Sequence, residues 1–224
     1  MTTGGAAAKL RLYFVMGSVN CAGRDPLAVL SQAIDGGVTV FQYREKGRGA
    51  LRGREAFALG ERLRKLCLDR GVPFIVNDDL ELALALDADG LHVGQEDLAA
   101  ETAREKIGGK WLGVSVSSLD EAVRAVRAGA DYLGAGPIFD TKTKEDAKPG
   151  TGPILIRRIR EAGIGLPMVG IGGITAANAA QVMEAGADGI AVISAISQAA
   201  SPADAARELL RAAGRTGKQN HPLA

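Results

Sequence analysis

Residues 111–139, WLGVSVSSLDEAVRAVRAGADYLGAGPIF, form one complete strand–helix–strand pattern. The runs WLGVSV and DYLGAGPIF are mainly apolar, as is typical of buried strands, and SLDEAVRAVRAG between them has helical periodicity. The helical segment closes on Gly129, and a glycine with positive φ is the usual residue at a helix end. Strands that are apolar at nearly every position are covered on both faces, so this stretch predicts two parallel strands joined by a helix.

The same alternation extends in both directions along the chain. Related Gly-containing phrases at Asp35–Gly37, Ala128–Asp131 and Ala185–Asp188 mark points where a helix ends and a buried strand begins. Right-handed crossovers make eight such units close, so we predict an α/β fold, a (β/α)8 TIM barrel of eight parallel strands with outer helices. A doubly wound open sheet is the main alternative. The eight strand candidates begin near Leu10, Val38, Pro73, Gly90, Trp111, Asp131, Leu166 and Ala187.

Length and charge limit the classes of protein that this chain can be. Its 224 residues suit one TIM-barrel domain over residues 1–224, with residues 1–8 and 215–224 expected to be flexible. The 27 basic and 26 acidic side chains leave no global field to hold nucleic acid or an anionic membrane. We therefore expect small molecules as partners, no nucleic acid and no membrane, and leave a homo-oligomer open.

Two further features indicate a cytoplasmic protein. Cys21 and Cys67 lie far apart and form no metal-binding cluster, so we expect buried free thiols in a reducing compartment. The amino-terminal segment has no basic region ahead of a long apolar run, and no stretch is long enough to span a membrane.

The second strand carries the most informative polar residues. Gln42, Arg44 and Lys46 are two positions apart and therefore project from the same side of the strand, whereas Phe41 and Tyr43 point the other way. Two cations in a buried strand are costly unless an anion meets them at its upper end. The alternative is a strand that ends early and leaves the charges in a solvated loop.

Carboxylates follow the third and fourth strands. Asp78 and Asp97 lie at adjacent strand ends and can converge on one ion, and magnesium is commonly held by one or two carboxylates together with substrate phosphates. Asp97 has an alternative role as a turn or capping residue. Asp79 is better explained as the N-cap of the helix that follows it.

The last three strands end in sequences that suit phosphate binding. Thr141, Thr143 and Lys144 lie in a long polar connection after the sixth strand, which can act as a binding loop or be a solvated loop whose charges neutralise one another. Gly170–Gly173 ends the seventh strand and Ser194 follows the eighth, where barrels frequently bind a phosphate. The alternative is a glycine-rich tight turn without a ligand.

Two polar residues inside strands have less specific roles. Ser115 has no nucleophile elbow and no His and acid partners, so nucleophilic serine catalysis is not indicated. His92 alternates with Leu91 and Val93, and this pattern predicts a packed, hydrogen-bonded histidine in preference to a catalytic base.

Taken together, these stretches resemble the thiamine phosphate synthase family over nearly the whole chain. The resemblance lies in FQYREK, VNDDLELALALDADGLHVGQEDL, LGVSVSS, GPIFDTKTK, VGIGGI and AVISAI, which begin at Phe41, Val76, Leu112, Gly136, Val169 and Ala191. It implies a Mg²⁺-dependent transferase that joins hydroxymethylpyrimidine diphosphate to thiazole phosphate, or to its carboxylated form. It also implies that the bond to diphosphate breaks first, so that no acid/base pair is required. The family commonly has another residue where Asp140 stands.

The resemblance also implies a set of site residues. The residues that it places on the pyrimidine diphosphate are Gln42, Tyr43, Arg44, Glu45, Lys46, Asn77, Ser115 and Lys144. Those that it places on the thiazole phosphate are Thr141, Lys142, Thr143, Gly173, Ile193 and Ser194. It makes Asp78 and Asp97 the magnesium ligands, and it gives a catalytic role to Arg44, Lys46, Ser115 and Lys144.

Three other functions remain as alternatives. A related thiazole tautomerase would lack the full diphosphate clamp, and an aldolase or isomerase would need a catalytic base or a Schiff-base lysine inside a strand. A phosphate-ligand sensor would keep the pocket without turnover. The presence of Arg44, Lys46, Asp78, Asp97 and Lys144 together favours the synthase.

Overall fold

A computed structural model describes residues 9–141 and 149–214 and confirms the predicted barrel. Eight parallel strands pair in chain order, and β8 pairs with β1 to close the sheet. The strands are β1 Leu12–Met16, β2 Val40–Tyr43, β3 Phe74–Asn77, β4 Gly90–Val93, β5 Trp111–Val116, β6 Tyr132–Ala135, β7 Met168–Ile171 and β8 Gly189–Val192. The predicted flexible segments, 1–8 and 215–224, lie outside the described residues.

Helices follow the strands and form the outer layer. A 3₁₀ turn at Ser18–Cys21 comes first. The α-helices are α1 Pro26–Asp35, α2 Gly53–Arg70, α3 Leu80–Ala85, α4 Ala100–Ile107, α5 Leu119–Arg127, α6 Ile154–Glu161, α7 Ala179–Glu184, α8 Ser194–Ser197 and α9 Pro202–Gly214. None of these helices is both long enough and apolar enough to cross a membrane.

Polar side chains and glycines define the helix ends, and Asp79 is an N-cap as predicted. The carboxylate of Asp79 accepts a hydrogen bond from the Leu82 N–H at the start of α3, and Ser118 caps α5 in the same way. Gly71 ends α2 in the left-handed conformation. These caps fix where each helix begins or ends, and hence how each loop leaves its strand.

Strand alternation divides the apolar residues into two layers. Tyr13, Val40, Ile75, Tyr132 and Val169 belong to a cluster inside the barrel. The alternate positions pack with the helices in a larger outer cluster, in which the free cysteines are buried as predicted. The inner layer is small, so polar side chains on the same strand faces determine much of what lies inside the barrel.

A repeated hydrogen bond fastens the amino-terminal face of the barrel. Just before each even-numbered strand, a side-chain oxygen accepts the N–H of a residue at the start of the preceding strand. We call these four residues the strand-start acceptors. They are Thr39 for Leu12, Asp89 for Phe74, Asp131 for Leu112 and Asp188 for Met168.

Arginines from the helix layer complete three of these fastenings. Arg64, Arg104 and Arg160 form ion pairs with the aspartates at 89, 131 and 188, respectively. Arg160 also donates to the carbonyls of Ile164, Leu166 and Gly186. Backbone groups that would otherwise lack partners at this face are thus paired with side chains.

Candidate active site

A large cavity opens at the carboxyl ends of the strands. Its volume is about 930 Å³, and its wall contains residues from all of the strand ends except that of β1. This is the face at which barrels of this type carry their binding groups. The expected site residues in its wall are Arg44, Lys46, Asn77, Asp78, Asp97, Ser115, Thr141, Gly173, Ile193 and Ser194.

The end of β2 directs alternate side chains into the barrel. Arg44 still belongs to the ladder, because its N–H donates to the Met16 carbonyl, and its guanidinium lines the cavity. Within the described residues this guanidinium has no hydrogen-bonding or ion-pair partner, although it is half-buried. Gln42 lies deeper, in a void of about 20 Å³ that shares Arg44 and Ser115 with the cavity wall. A half-buried cation without a counter-ion favours an anionic ligand.

Two expected contacts on this strand are not brought to the cavity. Tyr43 lies on the opposite face, is 1% exposed, and donates its hydroxyl to the Ala56 carbonyl of α2. The carboxylate of Glu45 accepts hydrogen bonds from the Ser18 N–H and hydroxyl and from the Leu51 N–H. Neither residue lines the cavity, because period-two geometry turns both side chains away from it, and their contact with substrate stays a prediction.

The two expected metal ligands lie together on the cavity wall. Lys46 Nζ is 2.7 Å from Asp78 Oδ2 and 3.3 Å from Asp97 Oδ1. Burial and the hydrogen bond with Asp97 raise the pKa of Asp78 by more than Lys46 lowers it. Burial acts to raise the pKa of Asp97, but its hydrogen bond with Asp78 and the charge of Lys46 together lower it. The two carboxyls are thus close enough to bind the same cation.

This arrangement fits a divalent ion. Among the described residues there is no cluster of three or more His, Cys, Asp or Glu side chains that could hold a metal. Two carboxylates are nevertheless sufficient for Mg²⁺ when substrate phosphates complete the ligand set. The Lys46 ammonium bridges Asp78 and Asp97, so a positive charge at this position attracts both carboxylates.

The backbone at Asp78 supports a special role for this residue. Its φ of 61° lies in the left-handed region, which non-glycine residues seldom adopt. Its N–H donates to the His92 carbonyl, and the next residue, Asp79, caps α3. Such conformations persist where the surrounding structure enforces them, and they are concentrated at functional sites.

The opposite wall is built from the last three strand ends. Gly173 has a φ of 61°, and a Cβ placed there would lie 2.5 Å from the Asp140 carbonyl oxygen, so only glycine fits. Ile193 and Ser194 line the same wall at the start of α8. Thr141 is also in the wall, whereas Lys142, Thr143 and Lys144 lie outside the described residues. The base of this connection is closed by Asp140, which accepts the Gly150 N–H.

His92 is packed and hydrogen-bonded as predicted. Its Nε2 is 2.9 Å from Ser115 Oγ, and its Nδ1 is 3.1 Å from the Tyr132 hydroxyl. The expectation that Ser115 has no His partner is wrong, because β4 pairs with β5 and brings His92, which is distant in sequence, next to Ser115. Sequence reasoning also did not single out Glu121 and Gln198, which line the wall outside the motifs that carry the family resemblance.

Close relatives cover nearly the whole chain. The thiamine-phosphate synthase of Geobacillus kaustophilus (strain HTA426) is 61% identical over 204 residues, covering 91% of this chain and 92% of the relative. The thiamine-phosphate synthase of Bacillus cereus (strain ATCC 10987 / NRS 248) is 53% identical over 208 residues, covering 93% and 92%.

Solved structures agree with these relatives. The thiamine phosphate pyrophosphorylase from Pyrococcus furiosus superposes with a TM-score of 0.84 at 36% identity, covering 94% of this chain and 98% of that structure. A 3-hexulose-6-phosphate synthase superposes with a TM-score of 0.68 at 20% identity, covering 91% and 99%, and this likeness concerns the fold alone.

A family model decides the classification. The model for thiamine monophosphate synthase matches residues 12–196, which span the barrel from β1 to α8. This range includes every residue of the cavity wall named above except Gln198. The chain therefore belongs to the thiamine monophosphate synthase family.

Proposed function

We propose that this chain condenses 4-amino-2-methyl-5-hydroxymethylpyrimidine diphosphate with 4-methyl-5-(2-hydroxyethyl)thiazole phosphate, or with its carboxylated form with loss of CO2, to give thiamine phosphate and diphosphate. The names of its relatives support a transferase of thiamine biosynthesis. The observation that carries the finer proposal is the composition of the cavity at the carboxyl ends of the strands. An unpartnered guanidinium and a pair of carboxylates lie on one side, and a glycine-rich strand end lies on the other.

The diphosphate is assigned to the side formed by β2 to β5. Arg44 offers a planar group with several donors, which matches the oxygens of a phosphate, and Lys46 adds a point charge. The side-chain amide of Asn77 has no partner within the described residues and lies in the same wall, as does Ser115. Lys144 completes the proposed clamp, although it lies outside the described residues.

Asp78 and Asp97 are the proposed ligands of Mg²⁺. When bound, the ion would neutralise negative charge on the diphosphate and so make it a better leaving group. Binding it would release Lys46 from the two carboxylates to which it is now bonded and free its ammonium for a phosphate oxygen. Lys46 would thus balance the charge of Asp78 and Asp97 before the ion binds and contact a phosphate oxygen afterwards.

The proposed reaction needs charge stabilisation and alignment more than proton transfer. The C–O bond between the pyrimidine methylene and the diphosphate breaks, and its electron pair leaves with the diphosphate. The methylene cation is stabilised by the ring amino group, and the thiazole nitrogen then forms the new C–N bond with its lone pair. Arg44, Lys46, Ser115 and Lys144 stabilise the departing charge, and the cavity holds the two rings in line.

The thiazole phosphate is assigned to the opposite side. Gly173 lets the backbone approach the phosphate closely, and the Ser194 and Thr141 side chains lie in the same part of the wall. Lys142 and Thr143 are proposed to join them from the connection after β6. The buried thiols of Cys21 and Cys67 suit a reducing compartment, so we include a cytoplasmic location in the proposal.

Direct assay tests this function. The purified chain is mixed with both substrates, with magnesium or with a chelator, and thiamine phosphate and diphosphate are quantified by chromatography. We expect the two products in equal amounts and only with magnesium. Binding of thiazole phosphate without any product would reject the synthase and favour a tautomerase or a sensor.

A further inference from the structure

Five side chains form one continuous hydrogen-bonded series through the interior of the barrel. Gln42 Nε2 is 2.9 Å from the Tyr13 hydroxyl, which is 2.8 Å from the Tyr132 hydroxyl. The series continues from Tyr132 to His92 Nδ1 at 3.1 Å, and from His92 Nε2 to Ser115 Oγ at 2.9 Å. We call this series the interior chain. It joins five different strands and ends at the cavity wall.

The members of the interior chain are shielded from solvent up to its last residue. Gln42, Tyr13, Tyr132 and His92 are between 0 and 7% exposed, and Ser115 is partly exposed in the cavity. Burial raises the pKa of both tyrosines well above the ordinary value, so each keeps its single hydroxyl proton. Each tyrosine can therefore donate only one hydrogen bond within the chain.

Counting donors gives the direction of every bond once the Gln42 amide nitrogen is placed beside Tyr13. Gln42 Nε2 can only donate, so the Tyr13 oxygen accepts there and its proton goes to Tyr132. The Tyr132 oxygen is then an acceptor from Tyr13, and its own proton goes to His92 Nδ1. A neutral imidazole with an acceptor Nδ1 carries its proton on Nε2, which donates to Ser115.

We propose that the interior chain holds His92 in the Nε2–H tautomer, so that Ser115 accepts from His92 and presents its hydroxyl proton to the cavity. Tyr13, Tyr132 and His92 are then positioning residues, and Ser115 becomes an obligatory donor to a phosphate oxygen. Hydrogen bonds in such a series polarise one another, which strengthens the donor at its end. The tautomer rests on the Gln42 amide nitrogen facing Tyr13, whereas the use of Ser115 on a diphosphate rests on the proposed function.

Gly113 provides the space that the interior chain needs. A Cβ at this position would lie 2.3 Å from the Tyr132 hydroxyl oxygen and 2.4 Å from His92 Nδ1. Any side chain there would separate the two atoms that transmit the donor direction across the barrel. The absence of a side chain at Gly113 thus has a direct structural consequence for the interior chain.

Reversal of one group would reverse the whole series. If the Gln42 amide presented its oxygen to Tyr13, each proton would move to the other partner, and His92 would carry its proton on Nδ1. Ser115 would then donate to His92 and present only lone pairs to the cavity. The two arrangements therefore differ in one measurable property, which is the tautomer of His92.

Long-range ¹H–¹⁵N correlation spectra of the full chain measure this tautomer directly. The chain has only two histidines, and a His221→Asn variant assigns the signals of His92. We expect the Nε2–H tautomer at neutral pH, with Nδ1 unprotonated. A Tyr132→Phe variant, which removes the donor to Nδ1, should lose this preference. An Nδ1–H tautomer or a doubly protonated ring in the unmodified chain would overturn the proposal.

A double-mutant cycle tests whether His92 acts through Ser115. His92→Leu should lower kcat roughly tenfold, which corresponds to the loss of one hydrogen bond. In a Ser115→Ala background the same change should alter kcat by less than about twofold, because the partner is already absent. His92→Gln keeps an amide donor near the Nε2 position and should recover part of the rate. An equal loss in both backgrounds would mean a merely structural role and would overturn the positioning role.

The spectra and the rates separate the two proposals. A chain that shows the Nε2–H tautomer but makes no thiamine phosphate would reject the proposed function while supporting the direction of the interior chain. A chain that makes thiamine phosphate but shows the Nδ1–H tautomer would support the proposed function and reject the direction of the interior chain. If His92→Leu fails to fold, the Tyr132→Phe variant supplies the same cycle with the loss of a single hydroxyl.

Discussion

Two adjacent aspartates show how much one residue step changes at the end of β3. Asp78 has a left-handed backbone and lines the cavity beside Lys46, whereas Asp79 points to the start of α3 and caps it. Their charges are identical and their surroundings are not. This pair provides a matched test of the metal site.

We predict that Asp78→Asn lowers kcat roughly 10²-fold and raises the magnesium concentration needed for half-maximal rate. Asparagine tolerates the left-handed conformation, so the fold should survive. Asp79→Asn is the control, since asparagine is an equally good N-cap and should leave rate and stability nearly unchanged. Steady-state rates at several magnesium concentrations measure both variants. A magnesium-dependent rate that survives in Asp78→Asn would disprove the assigned metal site.

At Arg44 we predict that lysine is not an adequate replacement. Arg44→Lys keeps the charge but loses the planar set of donors, so KM for the pyrimidine diphosphate should rise about tenfold or more. KM for the thiazole phosphate should stay unchanged. Arg48→Lys makes the same exchange on an exposed residue of the same loop that is not in the cavity wall, and it serves as the control. Equal effects at both positions would argue against a specific contact.

The buried cysteines should make stability fall at high pH. Burial raises the pKa of the Cys67 thiol from 9.0 to about 12 and that of Cys21 to about 11. Because these folded-state values are raised, the stabilising contribution is complete below pH 9.0 and is lost as the pH rises toward 11 to 12. Urea unfolding from pH 8 upward should show this decline, and a Cys21→Ala/Cys67→Ala variant should show a shallower one. Identical slopes would contradict the assignment.

At the scale of elements, loops hold the functional side chains by bonds between neighbouring strand ends. Glu45 in the loop after β2 accepts from Ser18, which follows β1, and from Leu51 farther along its own loop. The side chains on either side of it, Arg44 and Lys46, face the cavity. The carboxylate therefore fixes the path of the backbone that presents both cations.

We predict that Glu45→Ala impairs binding without removing any substrate contact. Loss of the carboxylate leaves the Ser18 and Leu51 N–H groups without their partner and should raise KM for the pyrimidine diphosphate several-fold. Glu55→Ala, an exposed acid in the first turn of α2, is the control and should have no effect. A fall in kcat with unchanged KM would instead place Glu45 in the chemical step.

The eight strands and most helix ends were predictable because they depend on local patterns. Apolar runs predicted the strands, Asp79 predicted a cap, and the two-residue phase of β2 indicated which side Arg44 faces. The same phase turns the Tyr43 side chain away from the cavity, as the alternation along β2 predicts.

Other features were not predictable because they depend on distant strands. The hydrogen bond between Tyr13 and Tyr132 joins residues 119 positions apart, and Gly113 matters only because of what surrounds it. The Gly-containing phrases before Asp131 and Asp188 were noticed as helix ends, but the hydrogen bonds of these aspartates to the preceding strands were not. Local patterns thus predicted the strands and helices. The hydrogen bonds between side chains of distant strands could be identified only in the closed barrel.

At the scale of the whole molecule, the two ends of the barrel have different tasks. The strand-start acceptors and their arginines occupy the amino-terminal face, whereas the cavity opens at the carboxyl ends of the strands. No strand-start acceptor is in the cavity wall. A substitution among the strand-start acceptors should therefore change stability without changing activity. A substitution in the cavity wall should change activity without changing stability.

We predict that Asp188→Ala destabilises the fold by about 2 kcal/mol, because it leaves Arg160 and the Met168 N–H without their charged acceptor. The rate per folded molecule should not change. Asp204→Ala, which removes an exposed i,i+3 ion pair in α9, should change the free energy of unfolding by less than about 0.5 kcal/mol. Urea unfolding and the product assay measure both quantities, and a reduced rate in folded Asp188→Ala would contradict the separation of the two faces.

The repeated fastening also affects how such a chain can change over generations. Selection for a stable fold acts on substitutions among the strand-start acceptors. Selection for activity acts on substitutions in the cavity wall. Because four fastenings share the first task, a lineage can weaken one and compensate at another without passing through an inactive enzyme. The same barrel can then acquire a new substrate at one end while its old framework persists at the other.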